Sequence, residues 1–427
     1  MALVPRRWGR RARPPRQHPS RCLAPRPHMT ATGENSHFSS TMVHRRTTSS
    51  PLTIEQVHTR AQLHDFIVLP RVIYNGMPGF VAPLDFERRQ MLDPRHNSFF
   101  THGQAAYWIA MRNGRPQGRI SAQIDHAATG PEAADIGLFG CLDAIDDGDV
   151  VNALFVAAEA WLRRQRRKVA RGPFLLSING ESGLLLEGQQ EPPMTLFPWH
   201  PDYLDGRVRD AGYALVRELL CFEYNRMDVG TESRFERFSS MRRHAGITTR
   251  DIHLDALDAD MELARQIFND GWQDNWGFTP TTQSDVRALT AQFKPMLFSD
   301  AGFFIEVDGE PAAFMLAIPN LFDVAAGLGP VPSLVGWLKL LIRIKRAKYR
   351  SFRIVLLGMA SKYRSSALRA AIAAVMVEEL WKRGSTLGID RAIAGWVLDN
   401  NPLAQSLTRI GLRQSHTYGV YEKSIVD

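Results

Sequence analysis

The stretch Phe303-Phe-Ile-Glu-Val-Asp308-Gly309-Glu310-Pro311-Ala-Ala-Phe-Met-Leu-Ala-Ile318 decides the fold, because it contains two apolar runs separated by Asp-Gly. Apolar runs joined by Asp-Gly or Asn-Gly predict an antiparallel hairpin with a two-residue turn. Residues 107–124 follow the same plan, with Asn113-Gly114 at the turn. The sequence therefore predicts two matching hairpins, one in each half of the chain.

The two halves share further landmarks in the same order. A short helix that ends at glycine and leads into a strand is expected around Gly212 and again around Gly411. Long helices are expected at residues 149–167 and 367–383, between each hairpin and its glycine. Three matches in one order indicate a tandem repeat. We therefore expect two domains, residues 51–227 and 228–427.

Residues 1–50 differ in composition from the rest of the chain. The segment has many arginines and a single acidic residue, Glu34, so it accounts for the formal net charge of +8. It is rich in proline and poor in apolar side chains, which predicts a disordered tail. It reads either as a transit-like peptide or as an over-extended start before Met29 or Met42. Because the positive charge is confined to this tail, we expect no nucleic-acid partner.

The remaining residues are typical of a folded protein in a reducing compartment. The whole chain is 44% hydrophobic, which is normal for a globular protein. No apolar run is long enough to predict a transmembrane helix. Cys22, Cys141 and Cys221 lie far apart, which argues against a disulfide framework, and no cluster has the spacing of a metal site. We expect a cytoplasmic protein without a metal.

The order of elements in the second half, from the hairpin through a strand at residues 352–359 to a helix and a further strand, resembles the GNAT acyltransferase fold. The resemblance implies an α/β fold of the α+β kind, with two tandem GNAT-like domains. Each domain would contain a mixed, mostly antiparallel twisted sheet flanked by helices. The fold also implies acyl-CoA as a co-substrate, with no permanently bound cofactor.

In the GNAT family a loop of pattern Arg/Gln-x-x-Gly-x-Gly/Ala holds the coenzyme A pyrophosphate at the start of a helix, where backbone N–H groups and the helix dipole favour an anion. The matching stretch is Arg364-Ser365-Ser366-Ala367-Leu368-Arg369. Ala367 and Arg369 replace the two glycines, so a plain helix start is the alternative interpretation. The resemblance also implies a cofactor contact for Asn401, which begins Asn401-Pro-Leu-Ala404-Gln-Ser-Leu407.

A splayed strand of the GNAT fold supplies the N–H that stabilises the oxyanion, which implies that Leu357, Gly358 and Met359 contact the acyl-CoA. Many relatives carry a tyrosine acid at the position of Thr408, and a threonine hydroxyl is a poor acid. Tyr418 and Tyr421 are therefore the candidate acids, although aromatic residues in closing strands also suit a core. Candidate bases by location near the strand centres are Glu306, Asp125, His126 and Glu223, although each also suits a solvated or structural role.

The first half has an acidic stretch, Asp143-Ala-Ile-Asp-Asp-Gly-Asp149, before the helix that corresponds to the coenzyme A helix. Several carboxylates at that position would repel a diphosphate. We therefore expect the first domain to lack coenzyme A binding and to shape the substrate cleft.

Several motifs are similar to those of a bacterial GNAT-like family that includes the bacterial ceramide synthases. They are Phe139-Gly-Cys-Leu-Asp143, Gly172-Pro173-Phe174, Ser177-Ile-Asn-Gly-Glu-Ser-Gly183, Pro192-Pro193-Met194, Asn275-Trp276-Gly277-Phe278 and the ending at residues 418–423. The resemblance implies transfer of a long-chain fatty acyl group from acyl-CoA to the amine of a sphingoid base or its 3-keto precursor. Asn275 and Trp276 would then contact the lipid amine.

Two other functions remain open from the sequence. One is an acetyl-CoA-dependent N-acetyltransferase, or an aminoacyltransferase, that acts on a small or peptidyl amine. The other is a catalytically degenerate GNAT pair that only binds its ligand, because the phosphate loop lacks glycine.

The segment 333–348 predicts a basic amphipathic helix. Leu334, Trp337, Leu338 and Leu341 share one side of it, and Lys339 begins a series of basic residues at three- and four-residue steps. Such a helix suits peripheral contact with the anionic inner face of a membrane. The alternative is a connecting helix whose apolar side packs on the sheet.

Overall fold

The computed structural model describes residues 51–225, 246–346, 349–365, 368–401, 407–408 and 412–426. The expected tail at 1–50, the domain boundary at 227/228 and most of the short helix expected before Gly411 lie outside these ranges, and so do Ser366 and Ala367. No described helix has both the length and the apolar character needed to cross a bilayer. We call residues 51–225 the first half and residues 246–426 the second half.

The first half contains seven strands and four α-helices within its described residues. Its strands are β1 (Thr53–Gln56), β2 (Gly103–Arg112), β3 (Arg115–Asp125), β4 (Ile136–Ala144), β5 (Val169–Gly172), β6 (Leu184–Glu187) and β7 (Ala214–Asn225). Its helices are α1 (Arg60–Ile73), α2 (Asp85–Leu92), α3 (Gly148–Arg164) and α4 (Tyr203–Asp210), with a 3₁₀ turn at Ser98–Thr101.

The second half repeats this plan. Its strands are β8 (Ile247–Asp251), β9 (Gly302–Val307), β10 (Glu310–Pro319), β11 (Ser351–Met359), β12 (Arg391–Leu398) and β13 (Arg413–Ser424). Its helices are α5 (Leu257–Trp272), α6 (Gln283–Phe293), α7 (Leu321–Ala325), α8 (Leu334–Lys345), α9 (Ser361–Arg364) and α10 (Arg369–Leu387).

Both predicted hairpins are present, and their turns explain why. Asn113 and Gly114 have φ angles of 56° and 68°, and Asp308 and Gly309 have φ angles of 52° and 80°. Positive φ at both central residues defines the type I′ turn, whose twist matches that of the flanking strands. The residues on either side of each turn pair directly, Arg112 with Arg115 and Val307 with Glu310.

All thirteen strands join one sheet, and its centre connects the two halves. The order is β1-β2-β3-β4-β5-β13-β7-β12-β11-β10-β9-β8, with β6 pairing on β13. The last strand of each half therefore pairs with a strand of the other half: β7 lies beside β12, and β13 lies beside β5. The two last strands also pair with each other, antiparallel, along residues 413–422.

Each half contains one parallel pair among its described strands, and the pair in the second half separates. In the second half β11 and β12 pair only from Ser351 and Arg391 to Ile354 and Ala394. Beyond that point β11 runs on to Met359 and β12 to Leu398. In the first half β4 and β5 pair between residues 136–138 and 169–171, and the chain after β5 stays against β4, where the N–H of Phe174 donates to the carbonyl of Phe139 at 2.8 Å. The opening between two parallel strands therefore lies in the second half, between β11 and β12.

Candidate active site

A cleft of about 1360 Å³ opens where β11 and β12 separate. This volume exceeds the range of roughly 300–1,000 Å³ that is usual for small-ligand pockets. Residues of both halves line it, and most of them are apolar. Representative wall residues are Phe174, Leu176, Ile178, Phe268, Phe278, Leu289, Met315, Met376, Leu380 and Leu407.

The structure brings most of the expected acyl-CoA and substrate residues to this one cleft. Those that line it are Leu357, Gly358, Met359, Arg364, Arg369, Asn401, Asn275 and Trp276. Ser365 and Leu368 belong to the same loop between α9 and α10 but do not appear in the cleft wall.

The end of β11 forms the wall of the cleft because α5 packs closely against it. Gly271, near the end of α5, permits the approach, since a Cβ atom there would lie 2.6 Å from the carbonyl oxygen of Met359. The indole Nε1 of Trp272 donates a hydrogen bond of 2.8 Å to the carbonyl of Leu357. Trp272 itself lines the cleft, so this carbonyl faces the α5 side of the cleft.

The loop that follows β11 places two cations at the cleft. Arg364 donates through Nη2 to Asp274 at 3.0 Å, and Arg369 is the exposed first residue of α10. Leu368, at the N-cap position, gives this helix no side-chain cap. A helix start with adjacent arginines is an arrangement that favours an anionic ligand.

The corresponding helix start in the first half is already occupied by its own carboxylate. Asp147 caps α3 and accepts hydrogen bonds from the backbone N–H groups of Asp149 and Val150. Arg112 donates to the other oxygen of Asp147 at 2.6 Å, and Arg112 holds the pKa of the Asp147 carboxyl below its usual value against the opposing effect of burial. The amides that would bind a diphosphate are therefore used internally in this half.

Three of the residues expected to act as acid or base, Glu306, Tyr418 and Tyr421, do not line the cleft. Glu306 accepts a 3.2 Å hydrogen bond from Arg250, which comes from the neighbouring strand β8. Tyr418 is buried, and its hydroxyl donates to the carbonyl of Pro198 at 3.2 Å. Tyr421 is buried in the first-half core and donates to Asp205. Burial raises the pKa of both tyrosines, so neither hydroxyl releases its proton readily.

Trp276 is fixed at the contact between the halves by two cations. The guanidinium carbon of Arg171 lies 4.6 Å from its ring centroid and that of Arg217 lies 5.3 Å away. Both distances are within the range of cation–π attraction. The neighbouring loop is held by Asn179, whose side chain donates to the carbonyl of Thr279 at 3.1 Å. The loop that carries Asn275 and Trp276 is therefore positioned by first-half residues.

Asp125 is the one candidate base that lines the cleft, but the sequence interpretation missed the polar cluster to which it belongs. Nδ1 of His102 lies 3.0 Å from Asp125, and Nε2 lies 3.2 Å from Asp285. Burial lowers the pKa of His102, but the two carboxylates outweigh it and leave the pKa raised. The raised pKa favours the protonated ring, in which both nitrogens donate to carboxylates and neither offers a lone pair. The cluster therefore holds the halves together and is poorly suited to be a base.

The hairpin register could have revealed half of this cluster. Gly103 pairs with Asp125, so extending the predicted hairpin back from Asn113-Gly114 places His102 next to Asp125. Nothing in the sequence points to Asp285, which comes from α6 in the other half. Among the described residues, no group of three or more His, Cys, Asp or Glu is arranged to hold a metal ion.

A second missed feature is Arg353, a buried arginine that lines the cleft at the point where β11 and β12 separate. Its guanidinium carbon lies 4.3 Å from the ring centroids of both Phe197 and Trp396. Burial lowers the pKa of Arg353 to about 10, so it remains protonated at neutral pH. Arginine is ordinarily a surface residue, and a single sequence does not show which arginine is buried.

Comparisons with known proteins agree with this architecture. The chain is 36% identical over 381 residues to the bacterial ceramide synthase of Caulobacter vibrioides (strain NA1000 / CB15N), covering 88% of this chain and 99% of that protein. It is 35% identical over 364 residues to protein YghO of Escherichia coli (strain K12), covering 85% of this chain and 93% of that protein. No protein-family model matches the chain.

A solved structure shows the same fold. A tandem GNAT protein from the clavulanic acid biosynthesis pathway superposes with a TM-score of 0.50 and 10% sequence identity, covering 88% of this chain and 99% of that one. The prediction of two tandem GNAT-like halves with mixed sheets is therefore confirmed.

Proposed function

This chain belongs to the family that contains the bacterial ceramide synthase of Caulobacter vibrioides, and on that basis we propose which reaction the chain catalyses. The chain is an N-acyltransferase that moves a long-chain fatty acyl group from acyl-CoA to the amine of a sphingoid base or of its 3-keto precursor. The observation that carries this proposal is the cleft of about 1360 Å³, walled largely by apolar side chains of both halves. Two long hydrocarbon chains need such a volume and such a lining.

The reaction requires one bond to form and one to break. The amine nitrogen attacks the thioester carbonyl, the C–N bond forms, and the C–S bond breaks to release coenzyme A as its thiol while the amine loses a proton. An ammonium group that enters an apolar cleft loses its proton more easily than in water, because burial disfavours the charged form. The cleft itself therefore assists deprotonation.

The end of β11 is our candidate for stabilising the oxyanion. In a strand, the N–H and C=O of one residue point to the same edge, and the Leu357 carbonyl accepts from Trp272, which lines the cleft. The Leu357 N–H would accordingly point to the edge that has lost its partner β12. A backbone donor that is fixed before the reaction stabilises developing negative charge without reorganisation.

The loop before α10 is our candidate for the coenzyme A phosphates, with Arg364 and Arg369 as charged donors and Asn401 as a further contact. The acidic cap of α3 argues against the same role for the first half. Asn275 and Trp276, held by first-half residues, would contact the amine substrate.

We further propose a cytoplasmic location with peripheral contact at the inner face of the membrane through α8. Five apolar residues of this helix are exposed, and Leu334 is exposed by 90%. They are Leu334, Val335, Leu338, Leu341 and Ile342. Lys339 and Lys345 are exposed on the same helix, and Arg346 is exposed at its C-cap position. Exposed leucines bordered by cations suit an anionic bilayer, from which a lipid amine could be taken.

Lipid analysis of cells with and without the gene tests the proposed reaction. We expect N-acylated sphingoid bases to disappear when the gene is deleted and free sphingoid bases or their keto forms to accumulate. An unchanged ceramide profile in a strain that makes ceramides, with no second gene of this family, would contradict the proposal.

A further inference from the structure

Arg353 has hydrogen-bond donors that the described protein does not use. Its side chain is buried, with 3% of the residue exposed. Nη1 donates to the backbone carbonyls of Thr195 and Leu196, but Nε is buried without a hydrogen-bond partner. No carboxylate among the described residues forms an ion pair with it. The Nε–H of this guanidinium is therefore left without an acceptor among the described residues.

Trp396 presents a second unused donor beside it. The Trp396 ring centroid lies 4.3 Å from the guanidinium carbon of Arg353, and its indole Nε1 is also buried without a partner. Phe197 stacks on Trp396 at 5.8 Å and contacts the same guanidinium at 4.3 Å. These contacts hold the arginine in one orientation. Two unpaired N–H donors consequently lie side by side in fixed positions.

The two donors belong to the opening between the parallel strands. Arg353 pairs with Ile393, one residue before the last β11 to β12 pair at Ile354 and Ala394. Trp396 follows on β12, two residues beyond that pair. Both side chains line the cleft. The donors thus lie where the strands part, at the base of the opening that the acyl-CoA would enter.

Buried donors without partners are uncommon in native proteins, because each loses its hydrogen bonds to water on folding. A guanidinium is the side chain best suited to bind two oxygen atoms with one edge. The backbone carbonyls of Thr195 and Leu196 accept from Nη1, and Glu181 is paired with Arg88. In the proposed function the oxygen atoms of the amine substrate are neutral hydroxyl or carbonyl oxygens, and either kind can accept from these donors.

We propose that Arg353 and Trp396 form an oxygen-binding subsite for the amine substrate, and that they select amines with a hydroxyl or carbonyl group on the carbons beside the nitrogen. This inference rests on the proposed function. An amino alcohol or amino ketone would place its oxygens against these donors and its hydrocarbon chain in the apolar cleft. A plain alkylamine would leave both donors unpaired. The subsite would thereby distinguish a sphingoid base from other long-chain amines.

The test compares two amines of equal chain length with one long-chain acyl-CoA: a 2-amino-1,3-diol and a 1-aminoalkane. Trp396→Phe keeps the aromatic ring and removes the N–H, and Arg353→Lys keeps the charge and removes the planar edge. For each variant we expect kcat/KM to fall about 10- to 100-fold for the amino diol. For the alkylamine we expect a change of less than about threefold, because that substrate uses neither donor.

Arg119→Lys is the matched control. Arg119 is also a buried arginine over an aromatic ring, Phe66, but it pairs with Asp143 and does not line the cleft. Its loss should lower kcat/KM for both amines by the same factor. If Trp396→Phe and Arg353→Lys also lower both by the same factor, their role is structural and the subsite is refuted.

A wild-type protein that acylates neither of these amines, nor the 3-keto form of the amino diol, would refute the proposed function but would not decide the subsite. Calorimetric titration with the amino diol and with the alkylamine then gives a separate answer. We expect the wild type to bind the diol more tightly than the alkylamine and Trp396→Phe to lose that difference. Equal affinities of the wild type for the two amines would overturn the inference.

Discussion

Nε2 of His102, in the first half, lies 3.2 Å from Oδ1 of Asp285, in the second half. Ser98 donates to the same oxygen at 2.8 Å, and Asp125 accepts from the other His102 nitrogen. Asp285 also caps α6 together with Thr282. This cluster joins the halves at the cleft wall, and the substrate would pass beside it.

A double-mutant cycle measures this link. We expect His102→Gln and Asp285→Asn each to reduce the free energy of unfolding, and the two losses to couple by about 1 kcal/mol or more, because a hydrogen bond to a charged group is removed. Urea unfolding of the four proteins gives the coupling. Strictly additive losses would mean that the two side chains do not interact. His253→Gln is the control, because His253 is exposed and its carboxylate neighbour, Asp260, belongs to the same half.

Buried His416 should make the protein less stable in mild acid. Burial lowers its pKa to about 4, whereas an unfolded histidine has a pKa of about 6.5. The native state therefore binds fewer protons than the unfolded state between these values, so stability decreases as pH falls from 6.5 through 4. We expect His416 to contribute a loss of ~2 kcal/mol between pH 7 and pH 5.

The measurement is urea unfolding of the wild type and His416→Gln at both pH values, since the difference between them removes the contribution of other groups. His200 is also buried with a lowered pKa, and the backbone N–H of Leu185 donates to its Nδ1. Its lowered pKa also reduces stability as the pH falls, and it does so in both the wild type and His416→Gln. Equal pH dependence in the two proteins would show that His416 titrates normally in the native state.

Arg364 and Arg369 should contribute to acyl-CoA affinity. We expect Arg364→Ala and Arg369→Ala each to raise the dissociation constant for acyl-CoA about tenfold, since a charge-assisted hydrogen bond to phosphate is lost. Lys362→Ala is the control, because Lys362 belongs to the same loop but pairs with Glu310 and does not line the cleft. An equal effect of Lys362→Ala would indicate only a loss of local positive charge.

The exposed apolar residues of α8 should mediate membrane binding. We expect the wild type to sediment with vesicles that contain phosphatidylglycerol, and less with pure phosphatidylcholine, because cations border the apolar patch. Leu334→Asp combined with Leu338→Asp should abolish sedimentation. Val156→Asp, at an equally exposed valine on α3, should not. Unchanged sedimentation of the leucine variant would exclude α8 as the contact.

Local features of the fold could be predicted because local chemistry decides them. Asp308-Gly309 and Asn113-Gly114 adopt positive φ at little cost, so the hairpins follow directly from the sequence. The apolar periodicity of residues 257–271 and 282–296 also predicts two helices. They are present at Leu257–Trp272 and at Gln283–Phe293, the second with a 3₁₀ extension to Met296. The pairing of β7 with β12 and of β13 with β5 could not be predicted, because an apolar strand does not specify which strand it will join.

The residues of the candidate site likewise fall into those that the sequence predicts and those that it does not. Arg364 and Asn275 were found because a motif marks them, and both line the cleft. His102 and Arg353 were missed because their environment depends on contacts with residues more than 150 positions away, Asp285 and Leu196. Tyr418 and Glu306 have side chains of the type that an acid or a base requires. In the structure, however, Tyr418 donates to the carbonyl of Pro198 and Glu306 accepts from Arg250.

The measurement that tests the central claim most directly is an assay of the purified chain with palmitoyl-CoA and a sphingoid base or its 3-keto form, read by mass spectrometry of the lipid product and by release of free thiol. We predict the N-acylated lipid and free coenzyme A in equal amounts, with acetyl-CoA a much poorer donor. Preferential use of acetyl-CoA with a small or peptidyl amine, or binding of acyl-CoA without any transfer to the sphingoid amines, would contradict the account.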